Sequence, residues 1–99
     1  MYLLIDDQRD LGCELTARTP KVGKLVLSKM SKHIECLCID HDLGTLETGY
    51  NVIQWALENN CLPKKVQIVS MNPVGRKAIE SILVEHGYTN SEGTFVKIK

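Results

Sequence analysis

Short apolar runs separated by polar segments predict five strands. Residues 3–5 form a continuous run without alternation, which is typical of a strand covered on both faces in a parallel sheet. Residues 34–39 and 66–69 are predicted as the third and fourth strands, and residues 94–98 as the fifth. Residues 13–18 alternate between apolar and polar positions instead, and this pattern predicts a half-exposed edge strand as the second.

Periodic apolar positions between these strands predict three helices. Thr19, Thr48 and Asn72 are suited to be N-caps, because their side-chain oxygens can accept a hydrogen bond from a free helix amide. Pro20 and Pro73 would occupy first helical positions, where the missing N–H costs nothing. The predicted core-facing positions are Val22, Val26 and Met30 in the first helix, Val52, Ile53, Ala56 and Leu57 in the second, and Val74, Ala78, Ile79, Ile82 and Leu83 in the third.

The patterns follow one another in the order β-β-α-β-α-β-α-β. Short connections between such elements impose right-handed crossovers and predict an α/β fold with a mainly parallel, three-layer sheet. Only about seven residues, 6–12, separate the first two strands, whereas a parallel pair usually needs a crossover helix. Either a tight loop replaces the first helix, or the second strand pairs differently.

Length and composition predict one domain over residues 1–99. The chain is too short for two independent cores, and its 43% apolar and 24% charged residues are typical of a globular protein. Twelve basic and twelve acidic residues leave no net charge, so no global field attracts a nucleic-acid backbone, and duplex DNA is not an expected partner. No signal peptide and no apolar run of membrane-spanning length is present, which predicts a cytoplasmic protein without a membrane partner.

The four cysteines are predicted to be reduced thiols that pack as small apolar residues. The sequence contains no Cys-x-x-Cys motif of the kind that binds zinc. Cys36 and Cys38 alternate with Leu37 and Ile39, so the two thiols would share one face of a strand.

Polar side chains follow four of the predicted strands. Asp6 and Asp7 follow the first strand, Arg18 the second, Asp40, His41 and Asp42 the third, and Ser70 and Asn72 the fourth. In doubly wound sheets, ligands bind outside the carboxyl ends of the strands. An aspartate alone is common where a strand enters a turn. The coincidence of four polar strand ends is therefore what indicates a site.

If the first and third strands are neighbours, Asp6 or Asp7 would lie within several ångströms of Asp40. Two carboxylates about 4 Å apart repel by about 4 kcal/mol at an effective dielectric of about 20, so they need a cation or a shared proton. Oxygen ligands suit Mg²⁺, Mn²⁺ or Ca²⁺, and magnesium or manganese is the expected cofactor, held by Asp6, Asp7 and Asp40. The alternatives are a pair of carboxylates that share a proton, and aspartates that cap turns in solvent.

A phosphate cradle is predicted at the start of the third helix. Asn72 would cap this helix, whose first turn holds Gly75 and Arg76. Free amides at a helix N-terminus, together with a guanidinium, bind phosphate groups. The alternative is a cap that binds no ligand. Arg9 and Arg18 could supply further positive charge.

The sequence resembles the cyclic-phosphate-processing receiver-like family, whose members are similar to response-regulator receivers but are reduced between the first two strands. Four segments carry the resemblance: Ile5-Asp6-Asp7-Gln8-Arg9, Asp40-His41-Asp42-Leu43-Gly44, Glu47-Thr48-Gly49-Tyr50 and Ser70-Met71-Asn72-Pro73-Val74-Gly75-Arg76. The resemblance covers nearly the whole chain. It implies a flavodoxin-like or receiver-like sheet of five strands, in the order 2-1-3-4-5, with the first helix missing. It therefore favours a tight loop between the first two strands.

The resemblance also implies roles for four residues. Asp6 and Asp7 resemble the acidic metal-binding pair of receivers, Asp40 the phosphoacceptor position, and Ser70 the hydroxyl residue after the fourth strand.

The sequence departs from the receiver pattern in two places. His41 and Asp42 have no clear receiver counterpart, and the Lys-Pro pair of receivers is absent, so neither Lys97 nor Lys99 can be matched to the receiver lysine. A derived activity is therefore expected in preference to phosphorelay signalling.

The candidate site predicts a metal-dependent phosphoesterase, and the resemblance implies that its substrate is a nucleotide or RNA end that carries a cyclic phosphate. Asp40, His41 and Asp42 would be the catalytic residues, with His41 as general acid or base at neutral pH. The alternative for His41 is a hydrogen bond within its own loop. The alternatives for the protein are a non-catalytic nucleotide-binding or phosphate-binding module, and a stand-alone receiver that takes a phosphoryl group on Asp40.

Overall fold

Residues 1–98, which are those that this computed structural model describes, form one mixed sheet with three α-helices. The strands are β1 (Tyr2–Ile5), β2 (Leu15–Ala17), β3 (Cys36–Ile39), β4 (Lys65–Ile68), β5 (Tyr88–Ser91) and β6 (Thr94–Lys97). The helices are α1 (Pro20–Met30), α2 (Gly49–Glu58) and α3 (Pro73–Glu85), and a short 3₁₀ segment, Ser31–His33, follows α1. The strand order is β2-β1-β3-β4-β6-β5.

The first four strands are parallel and adjacent in the predicted order. Leu3 of β1 lies beside Leu15 of β2 and Leu37 of β3, and Leu37 lies beside Val66 of β4. A loop of residues 6–14, without a helix, joins β1 to β2. The predicted fold class, a receiver-like and mainly parallel sheet without the first helix, is therefore confirmed.

The end of the sheet differs from the prediction of five strands. The last predicted strand does lie beside β4, but it runs antiparallel to it, and the extra strand β5 pairs with it at the edge of the sheet. Glu92 and Gly93 make the hairpin turn, both with positive φ. The apolar pattern does not reveal β5, because three of its four residues (Thr89, Asn90 and Ser91) are polar and exposed.

All three helices pack on the same face of the sheet. Both the β2-α1-β3 and the β3-α2-β4 connections cross the sheet in one direction, and right-handed crossovers then place their helices on one side. The helix α3 continues this layer in contact with α2. The main core lies between this face and the helices, with Leu3, Leu37 and Val66 from the strands and Leu27 and Ile53 from the helices. None of the helices formed by the described residues is long and apolar enough to cross a membrane.

The opposite face is covered by the loop between β1 and β2. This connection crosses the sheet in the other direction, so the same handedness rule places it on the other side. Here Cys13 of the loop packs against Leu4, Cys36 and Cys38. The third layer of the predicted fold is thus this loop, because no helix of residues 1–98 packs there.

The four cysteines are free thiols, as predicted. Cys36 and Cys38 are buried on the face of the sheet that carries the loop. A hydrogen bond with the Cys36 thiol, followed by burial, raises the pKa of the Cys38 thiol. A raised pKa keeps this thiol protonated and unreactive, which suits its role as a small apolar residue.

The predicted N-caps of all three helices are confirmed. The Thr19 hydroxyl accepts a hydrogen bond from the Val22 amide at 3.2 Å, and Thr48 forms a reciprocal capping box with Asn51. Asn72 caps α3 through its side-chain oxygen. The caps fix where each helix begins, at the carboxyl edge of the sheet, and therefore where the loops beside the acidic residues end.

The buried phenol of Tyr88 joins β5 to the residues just before β4. Its ionisation lowers the stability of the fold at alkaline pH. The Tyr88 hydroxyl donates to the Pro63 carbonyl at 2.7 Å, and burial raises the pKa of Tyr88 to about 12. In the unfolded chain this pKa is about 10. The contribution of Tyr88 is therefore complete below pH 10 and is lost as the pH rises to about 12.

We expect Tyr88→Phe to remove this pH dependence. Two pKa units correspond to about 3 kcal/mol, so the stability advantage of the wild type over Tyr88→Phe should fall by about 2–3 kcal/mol between pH 9 and 12. Urea unfolding of both proteins across that range measures this difference, and lysine and other tyrosine ionisations cancel in it. A difference independent of pH would contradict the prediction.

Candidate functional site

An acidic cluster lies at the carboxyl ends of the two central strands. Asp6 and Asp7 follow β1, and Asp40 follows β3. Since β1 and β3 are neighbours, the Asp40 amide donates to the Ile5 carbonyl at 3.0 Å. One carboxylate oxygen from each of Asp6, Asp7 and Asp40 lies within 4.8 Å of the others. The structure therefore brings together the three residues predicted as metal ligands.

Asp6 is the most constrained member of the acidic cluster. Its side chain is 2% exposed, and its Oδ1 accepts hydrogen bonds from the Gln8 amide at 3.0 Å and the Arg9 amide at 2.9 Å. Its Oδ2 is buried without a hydrogen-bond partner, and the Arg9 Nη1 lies 3.4 Å from it. A buried carboxylate oxygen without a hydrogen bond is costly and calls for a further partner.

The acidic cluster fits a divalent cation. It offers oxygen ligands only, which are the ligands that Mg²⁺ and Mn²⁺ prefer. A divalent cation would offset two of the three neighbouring carboxylate charges, and it would add a partner to the buried Asp6 Oδ2, which has an ion pair with Arg9 but no hydrogen bond. Asp40 is 9% exposed, so water screens this part of the cluster only weakly.

Two glycines let backbone segments approach the acidic cluster, and the sequence patterns did not single them out as site residues. Gly44 has a φ of +71°, and a Cβ there would lie 3.0 Å from the Asp7 Oδ2. At Gly49, a Cβ would lie 2.1 Å from the Asp40 carbonyl oxygen, and the Gly49 amide donates to the His41 carbonyl at 2.8 Å. The glycines in the Asp-Leu-Gly and Thr-Gly-Tyr segments were the available signal.

Two predicted anion-binding arginines, Arg9 and Arg18, lie beside the acidic cluster and donate to backbone carbonyls. The Arg9 guanidinium donates to the Val69 carbonyl. The Arg18 Nη1 donates to the Asp6 carbonyl at 3.2 Å and to the Arg9 carbonyl at 2.5 Å. Both side chains therefore hold the loop after β1 in position, and their role as phosphate ligands stays a prediction.

A second polar group connects the loop after β3 to the start of α3. The His41 Nδ1 lies 3.3 Å from the Asp42 Oδ1, and the Asn72 Nδ2 donates to both Asp42 oxygens at 3.4 Å. A Cβ at Gly75 would lie 2.3 Å from the His41 Cγ, so the imidazole packs directly on the helix backbone. His41, Asp42 and Asn72 thus form one hydrogen-bonded unit, the His41 group.

The predicted phosphate cradle at the start of α3 is largely satisfied by the protein itself. The Asn72 Oδ1 accepts from the Val74 amide at 3.0 Å and the Gly75 amide at 3.1 Å. The Arg76 Nη1 donates to the Ile68 carbonyl at 3.0 Å. The Ser70 hydroxyl, which is buried, accepts from the Asn72 amide at 3.0 Å. Phosphate binding by these residues stays a prediction.

Lys97 lies away from the acidic cluster. Lys97 lies at the opposite edge of the sheet, where its amide donates to the Lys64 carbonyl at 2.8 Å and its ammonium lies 5.8 Å from the centre of the Tyr88 ring. The antiparallel direction of β6 is the cause, because it carries the end of the strand away from the acidic cluster. Lys99 lies outside the described residues.

We expect Asp40→Asn to have opposite effects on stability with and without a divalent cation. Carboxylates 4.8 Å apart repel by about 3 kcal/mol at an effective dielectric of about 20, so removing one charge should stabilise the metal-free protein by roughly 1–2 kcal/mol after solvent screening. A cation at 100 times its Kd should stabilise the wild type by about 2.7 kcal/mol, and should not stabilise the variant. Thermal unfolding with EDTA and with Mn²⁺ measures both effects.

The matched control is Asp10→Asn. Asp10 is an exposed aspartate outside the acidic cluster, and its Oδ1 accepts from the Gly12 amide, a hydrogen bond that asparagine can keep. This variant should behave like the wild type under both conditions. An equal metal-induced stabilisation of the wild type and Asp40→Asn would show that the cation binds elsewhere.

Comparison with known proteins agrees with this geometry. Residues 1–85 match the family model described as the cyclic-phosphate processing receiver domain. The matched region runs from β1 to the end of α3, so it includes the acidic cluster and the His41 group and leaves out the β5–β6 hairpin. No curated protein and no solved structure matches the chain significantly. Because the match extends over most of the sequence, the chain belongs to the cyclic-phosphate processing receiver domain family.

Proposed function

We propose that this domain is a divalent-metal-dependent phosphoesterase that opens the cyclic phosphate of a nucleotide or RNA end. The observation that carries the proposal is the buried Asp6 Oδ2, which has no hydrogen-bond partner and lies in a cluster of three carboxylates. Asp6, Asp7 and Asp40 would hold a cation here, and its charge would favour a phosphate group at the same edge of the sheet. The membership of the family supplies the class of substrate, a cyclic phosphate.

The reaction sets the requirements for the site. Water adds its oxygen to phosphorus, and the bond between phosphorus and one of the two ring oxygens breaks. The water must therefore lose a proton, and the freed oxygen must gain one. When bound by Asp6, Asp7 and Asp40, the cation would polarise the phosphoryl group and lower the pKa of a water.

The His41 group supports the transfer of protons. An Nδ1–H that donates to the Asp42 carboxylate at 3.3 Å would leave Nε2 as the nitrogen that takes up or releases a proton. Asn72 orients Asp42 from the other side. The packing of the imidazole on Gly75 restricts its rotation. Such positioning is what a general acid or base requires.

The other residues of the site would position the substrate. The Arg9 and Arg18 guanidinium groups lie beside the acidic cluster and would add positive charge near a phosphate. Ser70 and Arg76 fix the loop before α3 through the Asn72 amide and the Ile68 carbonyl. These contacts hold the loop that carries Asn72, the residue that donates to the Asp42 carboxylate.

The position of Lys97 disfavours the alternative of a phosphoacceptor receiver. The receiver lysine acts beside the phosphoacceptor aspartate. Lys97 instead lies beside the start of β4, at the opposite end of the parallel strands from Asp40. Incubation with acetyl phosphate and Mg²⁺ tests this alternative directly. A phosphoryl group on Asp40 of the wild type would favour it.

Two variants should separate metal binding from proton transfer in a turnover assay. With a 2′,3′-cyclic nucleotide and Mg²⁺ or Mn²⁺, Asp40→Asn should lose nearly all activity, because the cluster loses a ligand charge. His41→Gln should lose about 10²–10⁴ in kcat while still binding the cation. Chromatography of the nucleotide products measures turnover, and thermal unfolding with Mn²⁺ measures cation binding.

The control is again Asp10→Asn, which should retain the wild-type rate. A wild-type protein that binds the cyclic nucleotide and returns it unchanged is a binding module, and the catalytic proposal then fails. Turnover that does not fall in Asp40→Asn would also contradict the proposal.

A further inference from the structure

Positive charge is concentrated on α1 and the residues around it. Residues 15–34 contain Arg18, Lys21, Lys24, Lys29 and Lys32 and no aspartate or glutamate, although the whole chain has twelve of each sign. A neutral net charge therefore hides a strong local field. Ordinary solvated helices mix the two signs, as α3 does in its ion pair between Arg76 and Glu80.

The lysines of α1 share one face, on which Lys21 and Lys29 are exposed and Lys24 is half-buried. At 3.6 residues per turn, Lys21, Lys24 and Lys29 fall within an arc of roughly 140°, opposite the buried Gly23 and Leu27. Lys32 follows in the 3₁₀ segment and is also exposed. We call Lys21, Lys24, Lys29 and Lys32 the cationic face of α1.

Ion pairing and helix stability account for only part of this cationic face, since Lys29 lies in the last turn of α1, where the helix dipole favours a cation. Lys24 pairs with Glu47 and lies 5.7 Å from the centre of the Trp55 ring, but Lys21, Lys29 and Lys32 form no ion pair with any residue of the range 1–98. Lys21 is in the first turn, where the positive end of the helix dipole disfavours a cation. Lys21, Lys29 and Lys32 are therefore available to an external anion.

The cationic face begins beside the candidate site. The helix α1 starts at the carboxyl edge of the sheet, and the preceding Arg18 donates to the Asp6 carbonyl. Lys24 contacts Glu47 in the loop that also carries Gly44, which lies against Asp7. From this edge, α1 runs for eleven residues, or about 16 Å, towards the other end of the sheet.

We propose that the cationic face of α1 binds the phosphodiester backbone of a single-stranded RNA whose end lies at the acidic cluster. The placement of the RNA end at the acidic cluster rests on the proposed function. The inference identifies the substrate as an RNA end rather than a free nucleotide. Charge complementarity supports RNA, because successive phosphates of one strand can contact several lysines along the eleven residues of α1. Continuity with a site for phosphate favours a nucleic acid over an acidic protein or a lipid surface.

The test compares two double variants in a binding assay that needs no catalysis. Fluorescence anisotropy with a labelled single-stranded RNA that ends in a 3′-phosphate is measured in EDTA, so the metal site does not contribute. Lys21→Gln with Lys29→Gln should weaken binding roughly tenfold, and should reduce the slope of log K against log salt by about 1.4, the value for two phosphate contacts with a single strand. Lys77→Gln with Lys97→Gln removes the same charge far from α1 and should change neither quantity.

The outcomes separate this inference from the proposed function. No RNA binding by the wild type, or equal losses in both double variants, would overturn the inference. So would equal binding of duplex DNA, or of anionic phospholipid vesicles in a flotation assay. RNA binding that depends on α1, in a protein that does not turn over cyclic nucleotides or cyclic-phosphate RNA, would leave the inference standing while the catalytic proposal fails. Circular dichroism of each variant confirms that the fold is retained.

Discussion

The parallel pairing of β1 with β3 is the constraint on which the site depends. It sets the two strand ends side by side, so that Asp6 and Asp40 leave the sheet as buried neighbours with like charge. Such an arrangement is unfavourable in water alone, and much of the surrounding structure compensates for it. Backbone amides and the Arg9 guanidinium approach Asp6, and the absence of a side chain at Gly44 lets another loop approach Asp7. The site is therefore built around an electrostatic cost that a bound cation would relieve.

Much of the fold could be predicted because the sequence contains strong local signals. The apolar runs, the three N-caps and the two prolines at helix starts gave the helices and the first four strands. The resemblance to the receiver-like family then supplied the strand order, and the adjacency of Asp6 and Asp40 followed from that order. The β5–β6 hairpin was not predictable in the same way, since its edge strand is mostly polar and its direction depends on pairing rather than on pattern.

The sequence indicated which residues form the candidate site, but it did not indicate the contacts between them. The positions of Asp7 and Asn72 at strand ends could be read from the sequence. The sequence does not reveal that the Asn72 side chain accepts from a helix amide and donates to Asp42. These contacts depend on the side-chain rotamer that a crowded loop allows. In the same way, the packing of the His41 ring on Gly75 is a tertiary contact between segments that are distant in sequence.

The loop that replaces the first helix also affects how the chain folds and how it responds to a ligand. Leu3 pairs with Leu15, only twelve positions away, so closing this parallel pair costs less chain entropy than a helical crossover would. The same loop carries Asp7 and Arg9 and has little apolar burial besides Cys13. Local opening of this segment then exposes little apolar surface, and it is opposed mainly by the hydrogen bonds of Arg9 and Arg18. A cation held by Asp6 and Asp7 would suppress that opening, so slower amide hydrogen exchange in the loop would accompany ligand binding.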